Sequence, residues 1–337
     1  MADRTYKNGF DIKKEMLGNV EELKEKLPPF IQETVVDYLR KDGIVIGVSG
    51  GVDSALIATL AVEALGPDHV YGLLLPEKES SPSSRELATR LCKKLKISFG
   101  EVPITPMLES FGIYTQKESL IRELFPQYDP AIHTTNLFLP PGISSTSLLA
   151  LPSIRLSDEK GSISTKRLSA PQYLKLISLQ NVKQRTRMIT LYMQAEKMNY
   201  SVSGTTNKSE LLTGYFVKFG DGGVDLEPIA DMYKLQVYKL SELLKIDAKI
   251  ISRAPSPDTW SHFTSDEDFY LRMPYDILDQ LLYAEEHDLP SEIIMKNTGL
   301  DTTQIESALK HIHTMKNASR MLQLSPPVYM QNVRHVL

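Results

Sequence analysis

Gly43-Ile44-Val45-Ile46-Gly47-Val48-Ser49-Gly50-Gly51-Val52-Asp53-Ser54-Ala55-Leu56-Ile57-Ala58 decides how the chain is read. Ile44, Val45, Ile46 and Val48 form a β-branched apolar run, which predicts a buried strand, and it breaks at Ser49-Gly50-Gly51 before an apolar helical pattern begins at Ala55. Adjacent glycines allow backbone conformations that a Cβ forbids, so successive N–H groups can converge on an anion at the positive end of the next helix. A Walker loop would close on Gly-Lys-Ser/Thr. This one carries Asp53-Ser54 instead, a carboxylate where a magnesium ion bridging phosphates can be held. The expected guest is pyrophosphate, not a γ-phosphate awaiting transfer.

The 337 residues suffice for a large α/β core. A net charge of −4 argues against a mainly electrostatic nucleic-acid binder. One cysteine, Cys92, excludes an intrachain disulfide and any multi-cysteine metal site, and its place between Leu91 and Leu95 predicts a core thiol. No apolar run reaches membrane-spanning length and the start has no apolar signal core, so a cytoplasmic protein with no membrane or nucleic-acid partner is expected.

Residues 11–41 carry apolar positions at helical spacing, which Pro28-Pro29 is expected to divide into two helices. The helix after the phosphate loop should end at Gly66-Pro67, and Val70 to Pro76 is the second strand of a βαβ unit. Ser83 or Ser84 is expected to cap a helix from Arg85 to Leu95, and Ile97 to Ile104 gives a third strand. Residues 120–170, broken by Pro140-Pro141-Gly142, Ser144-Ser145-Thr146-Ser147 and Asp158 to Ser162, read as an insertion, a cover or interface arm contributing little to the core. A long helix follows from Tyr173 to about Asn199, with Lys183, Arg185 and Arg187 on it. Next come a strand end at Val202, a helix bearing Glu210, and a glycine loop with Lys218, Asp221 and Asp225. Lys218 and Lys234 can neutralise charge building on an α-phosphate and pyrophosphate, and Asp53 with Glu210 can share magnesium.

Ser49-Gly50-Gly51-Val52-Asp53-Ser54 resembles the SGGxDS loop of ATP pyrophosphatases that adenylate a substrate. Four further stretches resemble elements of NAD synthetases: Pro76 to Ser81; Asn181-Val182-Lys183-Gln184-Arg185-Thr186-Arg187-Met188; Gly204-Thr205 through Glu210; and Lys218-Phe219-Gly220-Asp221 through Pro228 with Tyr233-Lys234. The resemblance covers most of residues 30–285. It implies an open, mostly parallel sheet with helices on both faces, 1–337 forming one ATP-pyrophosphatase-type unit with a helical N-terminal part at 11–41 and a helical C-terminal part at 270–337. It implies ATP contacts at Gly47, Val48, Ser49, Gly50, Gly51, Val52, Asp53, Ser54, Thr205, Lys234 and Ser256, magnesium at Asp53 and Glu210, and the acyl substrate on Arg185, Lys218 and Asp225. Asp53, Lys218 and Lys234 are the expected catalytic residues.

The implied reaction joins ammonia to nicotinic acid adenine dinucleotide at the cost of ATP, in a homodimer. The match weakens past Asp258: Asp268-Phe269-Tyr270-Leu271 replaces an acidic pair and glycine, and the basic pair the family carries before a C-terminal proline is absent ahead of Pro326-Pro327. An amide synthetase acting on another carboxylate and a non-catalytic nucleotide-binding subunit are the two alternatives. His311 and His313, two apart on a helix, are expected at the surface or in the core, not as ligands.

Overall fold

A computed structural model describes residues 9–139, 151–327 and 329. Chain order begins with α1 (Ile12–Leu17) and α2 (Val20–Gln32), then β1 (Ile44–Gly47), α3 (Val52–Leu65), β2 (Val70–Leu74), α4 (Pro82–Leu95) and β3 (Ser98–Glu101). After α5 (Thr105–Ser110) and α6 (Ile113–Leu124) come β4 (Thr134–Phe138), β5 (Ser153–Asp158) and β6 (Gly161–Arg167). Helix α7 (Ala170–Met198) leads into β7 (Ser201–Ser203), α8 (Lys208–Thr213), α9 (Lys234–Leu243) and α10 (Ala248–Ile251). Three helices close the chain: α11 (Tyr275–Glu286), α12 (Ser291–Thr298) and α13 (Thr302–Gln323).

The expected sheet is present, four parallel strands in the order β3-β2-β1-β7. Its central strand is apolar without a break because both faces are covered. Ile44 and Ile46 pack into the cluster formed with α2, α3, α4 and α9, whereas Val45 faces Ala195, Leu191 and Tyr192 of α7. Strand order reverses at β1, with β2 on one side and β7 on the other, so a crevice opens at its carboxyl end, where α/β sheets bind ligands. Cys92 is fully buried, as expected, and would lie 2.9 Å from a Cβ added at Gly72. No helix among the described residues is long and apolar enough to cross a membrane.

Three local expectations are corrected. Helix α3 starts at Val52 with Gly51 as its cap, not at Ala55, so Asp53 stands in the first helical turn. Pro28 and Pro29 lie inside α2. The break falls instead at Gly18-Asn19, where Gln236 donates to both Met16 O and Asn19 Oδ1. Each proline removes one helical donor, but buried Leu27 and Ile31 on either side hold the turn against the core. Ser81, not Ser83 or Ser84, occupies the cap of α4, and Ser84 turns inward.

The stretch read as a cover of little core content instead builds a second, antiparallel sheet, β4-β5-β6. Leu137, Ile154 and Leu156 alternate with polar neighbours along it and pack with Leu120, Ile121, Phe125, Leu176 and Trp260. Gly161, at φ +121°, makes the hairpin between β5 and β6. The breakers Pro140-Pro141-Gly142 and Ser144-Ser145-Thr146-Ser147 lie outside the described residues. The C-terminal helices form a third core in which α1 takes part, through Ile12 and Met16 against Leu278, Leu281, Leu282 and Ile312.

Candidate active site

The phosphate loop is held in shape by its own hydroxyls. Ser49 N donates to Ser54 Oγ over 3.3 Å, Ser54 Oγ donates to Gly51 O over 3.1 Å, and Gly51 N donates to Ser49 Oγ over 3.2 Å. Gly50 has φ +78°, and a Cβ there would fall 2.5 Å from the Ser84 carbonyl, so conformation and space both require glycine. The loop floors a cavity of about 580 Å³ that runs beneath α7 to the glycine turn after α8. That is the size range of small-molecule sites.

Of the sequence-predicted residues, Gly47, Val48, Ser49, Gly51, Val52, Asp53, Ser54, Arg185, Thr205, Glu210, Lys218, Lys234 and Ser256 line this cavity. Gly50 stands behind the wall against Ser84. Asp225 is engaged elsewhere: Tyr192 OH donates to its Oδ1 over 3.0 Å and Val202 N to its Oδ2 over 2.8 Å, so it clips the chain to β7.

The centre of charge is Lys234, 1% exposed at the first turn of α9. Its Nζ lies 2.5 Å from Asp53 Oδ2 and 3.5 Å from Glu210 Oε1. Burial opposes its charge, but Asp53 and Glu210 outweigh that and raise its pKa above the ordinary value. Burial raises Glu210, with Lys234 pulling the other way and the negative charges of Asp53 and Asp266 adding to the rise. Asn207 caps α8 in a reciprocal box with Glu210 and donates through Nδ2 to Asp53 Oδ1 over 3.0 Å, which fixes both carboxylates relative to each other.

Two cavity carboxylates were visible in the sequence but given no role. Asp266, raised by burial, accepts from Tyr215 OH at 2.8 Å and Tyr275 OH at 3.2 Å. Asp221, in the glycine turn, accepts from Val217 N at 2.7 Å, and burial pushes it up to about 6. Lys218 Nζ donates to Leu324 O over 2.5 Å, tying the turn to the segment after α13, and Arg185 reaches Lys218 O at 3.4 Å. Ser256 Oγ accepts from Asp258 N, while Asp258 in turn accepts from Ser81 N at 3.0 Å and Ser84 Oγ at 2.6 Å. The 253–258 loop is thereby joined to the serine segment after β2.

Lys183, on the same helix as Arg185 and Arg187, is fully buried. Its Nζ donates to Glu77 Oε1 at 2.7 Å, Glu79 Oε2 at 2.6 Å and Thr259 O at 2.9 Å. Lys117, 2.6 Å from Glu79 Oε1, stands 4.1 Å from the Trp260 ring centre. Burial lowers Lys117. It also works to raise Glu79, but there the two lysines outweigh it and hold the carboxyl below its ordinary range. The difference follows from partner number, since Glu79 has two cations whereas Lys117 has Lys183 as a like-charged neighbour. His311 is half-buried and pushed down to about 4 by desolvation, and His313 pairs with Glu285 at 2.7 Å at the surface.

Among the described residues no group of three or more His, Cys, Asp or Glu side chains could hold a metal ion. Asp53 and Glu210 converge on Lys234, and such a pair of carboxylates is a donor set that fits magnesium, which keeps waters and takes its other ligands from phosphates.

The sequence model of the NAD synthase family matches residues 23–126 and 152–321, so the stretch it skips lies within the expected insertion. The chain is 36% identical over 302 residues to the NH3-dependent NAD+ synthetase of Mesorhizobium japonicum, covering 90% of this chain and 94% of that one. It is 38% identical over 272 residues to the enzyme of the same name from Thermotoga maritima, covering 80% and 90%. Among solved structures it is similar to the NMN synthetase of Francisella tularensis, with a TM-score of 0.64, 25% identity and coverage of 92% and 98%. The NH3-dependent NAD synthetase of Campylobacter jejuni gives a TM-score of 0.60 at 25% identity, covering 92% and 99%.

Proposed function

The chain belongs to the NAD synthase family, and on that premise we propose that it makes NAD from nicotinic acid adenine dinucleotide, ammonia and ATP, with release of AMP and pyrophosphate. A carboxylate oxygen of the substrate attacks the α-phosphorus, the bond to the bridging oxygen breaks, and pyrophosphate leaves. Ammonia then adds to the acyl carbon and loses a proton, and AMP departs with the oxygen it received. The observation that carries this reading is the Asp53, Lys234 and Glu210 cluster at the mouth of the phosphate loop.

Each residue has a place in that sequence. The loop from Gly47 to Ser54, with Thr205 and Ser256, would hold ATP, and Lys234 would offset charge as it builds on the phosphates. Asp53 and Glu210 would hold a magnesium ion, which would supply charge neutralisation to the pyrophosphate. Lys218 and Arg185 would seat the acyl substrate at the far end of the cavity, leaving Asp225 to brace the turn between them and β7. Asp221, half-buried and raised above the ordinary carboxylate range, suits acceptance of the proton lost by the incoming nitrogen. A homodimer in the cytoplasm is part of the proposal, supported by Ile189 and Met193, one turn apart and exposed on α7.

Pyrophosphate release, measured with ammonium against a panel of pyridine carboxylate nucleotides, tests the assignment. Sustained release over many turnovers should require both ammonium and the dinucleotide acid. A second reading is favoured by the similarity to the Francisella NMN synthetase together with the missing basic pair before Pro326: the preferred acid would then be the mononucleotide. Faster turnover of the mononucleotide at saturation would select it. The non-catalytic alternative is disfavoured by the intact charge cluster.

A further inference from the structure

Asp279 lies on α11, outside the cavity, and is fully buried. Its carboxylate does not pair with a cation. Oδ1 accepts from Ser209 Oγ at 2.5 Å, and Oδ2 accepts from Leu235 N at 2.8 Å. Ser209 Oγ in turn accepts from Lys234 N at 3.0 Å. The first two N–H groups of α9, which lack partners within the helix, are thus satisfied by one relay that begins on α11 and passes through α8. A carboxylate at this end also suits the helix dipole. The two residues the relay grips stand immediately beside those of the charge cluster: Ser209 precedes Glu210 on α8, and the gripped amides belong to Lys234 and Leu235.

We propose that Asp279, acting through Ser209, is a positioning residue for the reaction: it sets the spacing between Glu210 and Lys234, and hence the geometry in which the phosphates of ATP are met. The inference rests on the adenylating reading above. The relay has few alternatives open to it, since Ser209 and Asp279 are both fully buried. Losing either member leaves a backbone donor of α9 without its acceptor, and the helix start can then shift.

Steady-state kinetics on full-length Ser209→Ala, Asp279→Asn and the double variant test this, below the unfolding temperature of each. The kcat should fall between about tenfold and a hundredfold, as a catalytic group misplaced by about 1 Å produces. The KM for ATP should stay within about twofold, because the lost alignment acts after binding. The double variant should be no slower than the slower single one, since both changes break one relay. Wild-type kcat in variants whose only defect is a lower unfolding temperature would overturn the proposal, as would single effects that multiply. If Asp279→Asn does not fold, the kcat of Ser209→Ala decides alone. Wild-type protein with no activity on any acid would instead overturn the reading on which the proposal rests.

Discussion

Replacing Lys183 with methionine removes a cation that makes three hydrogen bonds in a site closed to water. Methionine nearly fills the volume, so the main cost is electrostatic: Glu77, whose side chain is fully buried, loses its ion-pair partner, and Glu79 keeps only Lys117. Breaking a buried pair from one side costs about 3–5 kcal/mol, because the remaining charge stays desolvated. At about 2.1 cal/mol/K per residue, unfolding 337 residues carries about 0.7 kcal/mol/K of entropy, so the midpoint should fall by about 4–7 °C. Thermal unfolding followed by circular dichroism at neutral pH reads this directly. The shift should be nearly the same at low and high salt, since the pair is shielded from counterions. The KM for ATP should rise as well, because Glu77 and Glu79 begin the loop that reaches Ser81 and Ser84. A midpoint within about 1 °C of wild type, against the 4–7 °C expected, would refute the claim that Lys183 is an interior charge.

Asp53→Asn should abolish turnover while leaving the circular dichroism spectrum unchanged, since the side chain lines the cavity; full activity at saturating magnesium would remove Asp53 from the proposed metal site. Glu227, 2.6 Å from where a Cβ of Gly204 would stand, is pushed by burial from 4.5 up to about 7. A carboxyl raised in the fold binds its proton more tightly folded than unfolded, so stability should decline as pH rises from about 4.5 to 7, and Glu227→Gln should flatten that part of the midpoint-versus-pH curve. Equal slopes in both proteins would count against it. With its single cysteine buried, and pushed up to about 11 by that burial, the chain should take nitrogen from ammonium and not from glutamine; equal rates with both in a pure preparation would contradict this.

Much of the fold was legible because its signals are local. An apolar β-branched run, a glycine pair and a helix start within sixteen residues allow only one kind of unit, and the helix bearing Glu210 was likewise read from local pattern. Part of the cavity lining followed for the same reason, as the motifs beginning at Ser49, Pro76 and Gly204 follow the carboxyl ends of β1, β2 and β7. Lys183 escaped because its partners are about a hundred positions away, and a lysine destined for an interior pair has the same sequence appearance as one on a solvated face. The antiparallel sheet was missed because glycine and proline were read as breakers of structure, whereas Gly161 serves the hairpin that makes β5 and β6 possible. The prolines of α2 mislead in the opposite sense: helix propensity is local, and the packing of Leu27 and Ile31 overrides it. Asp225 was placed by its motif, and what the motif does not show is that its carboxylate joins α7 to β7 through Tyr192 and Val202.

The central claim is that the acyl substrate is activated by transfer onto AMP, and the fate of the carboxylate oxygen tests this most directly. Nicotinic acid adenine dinucleotide labelled with oxygen-18 in its carboxylate is turned over with ATP and ammonium, and the products are separated and weighed by mass spectrometry. One labelled oxygen in AMP, with pyrophosphate unlabelled, is the predicted result. Label in pyrophosphate or inorganic phosphate, or amide formed with unlabelled AMP, would contradict the account.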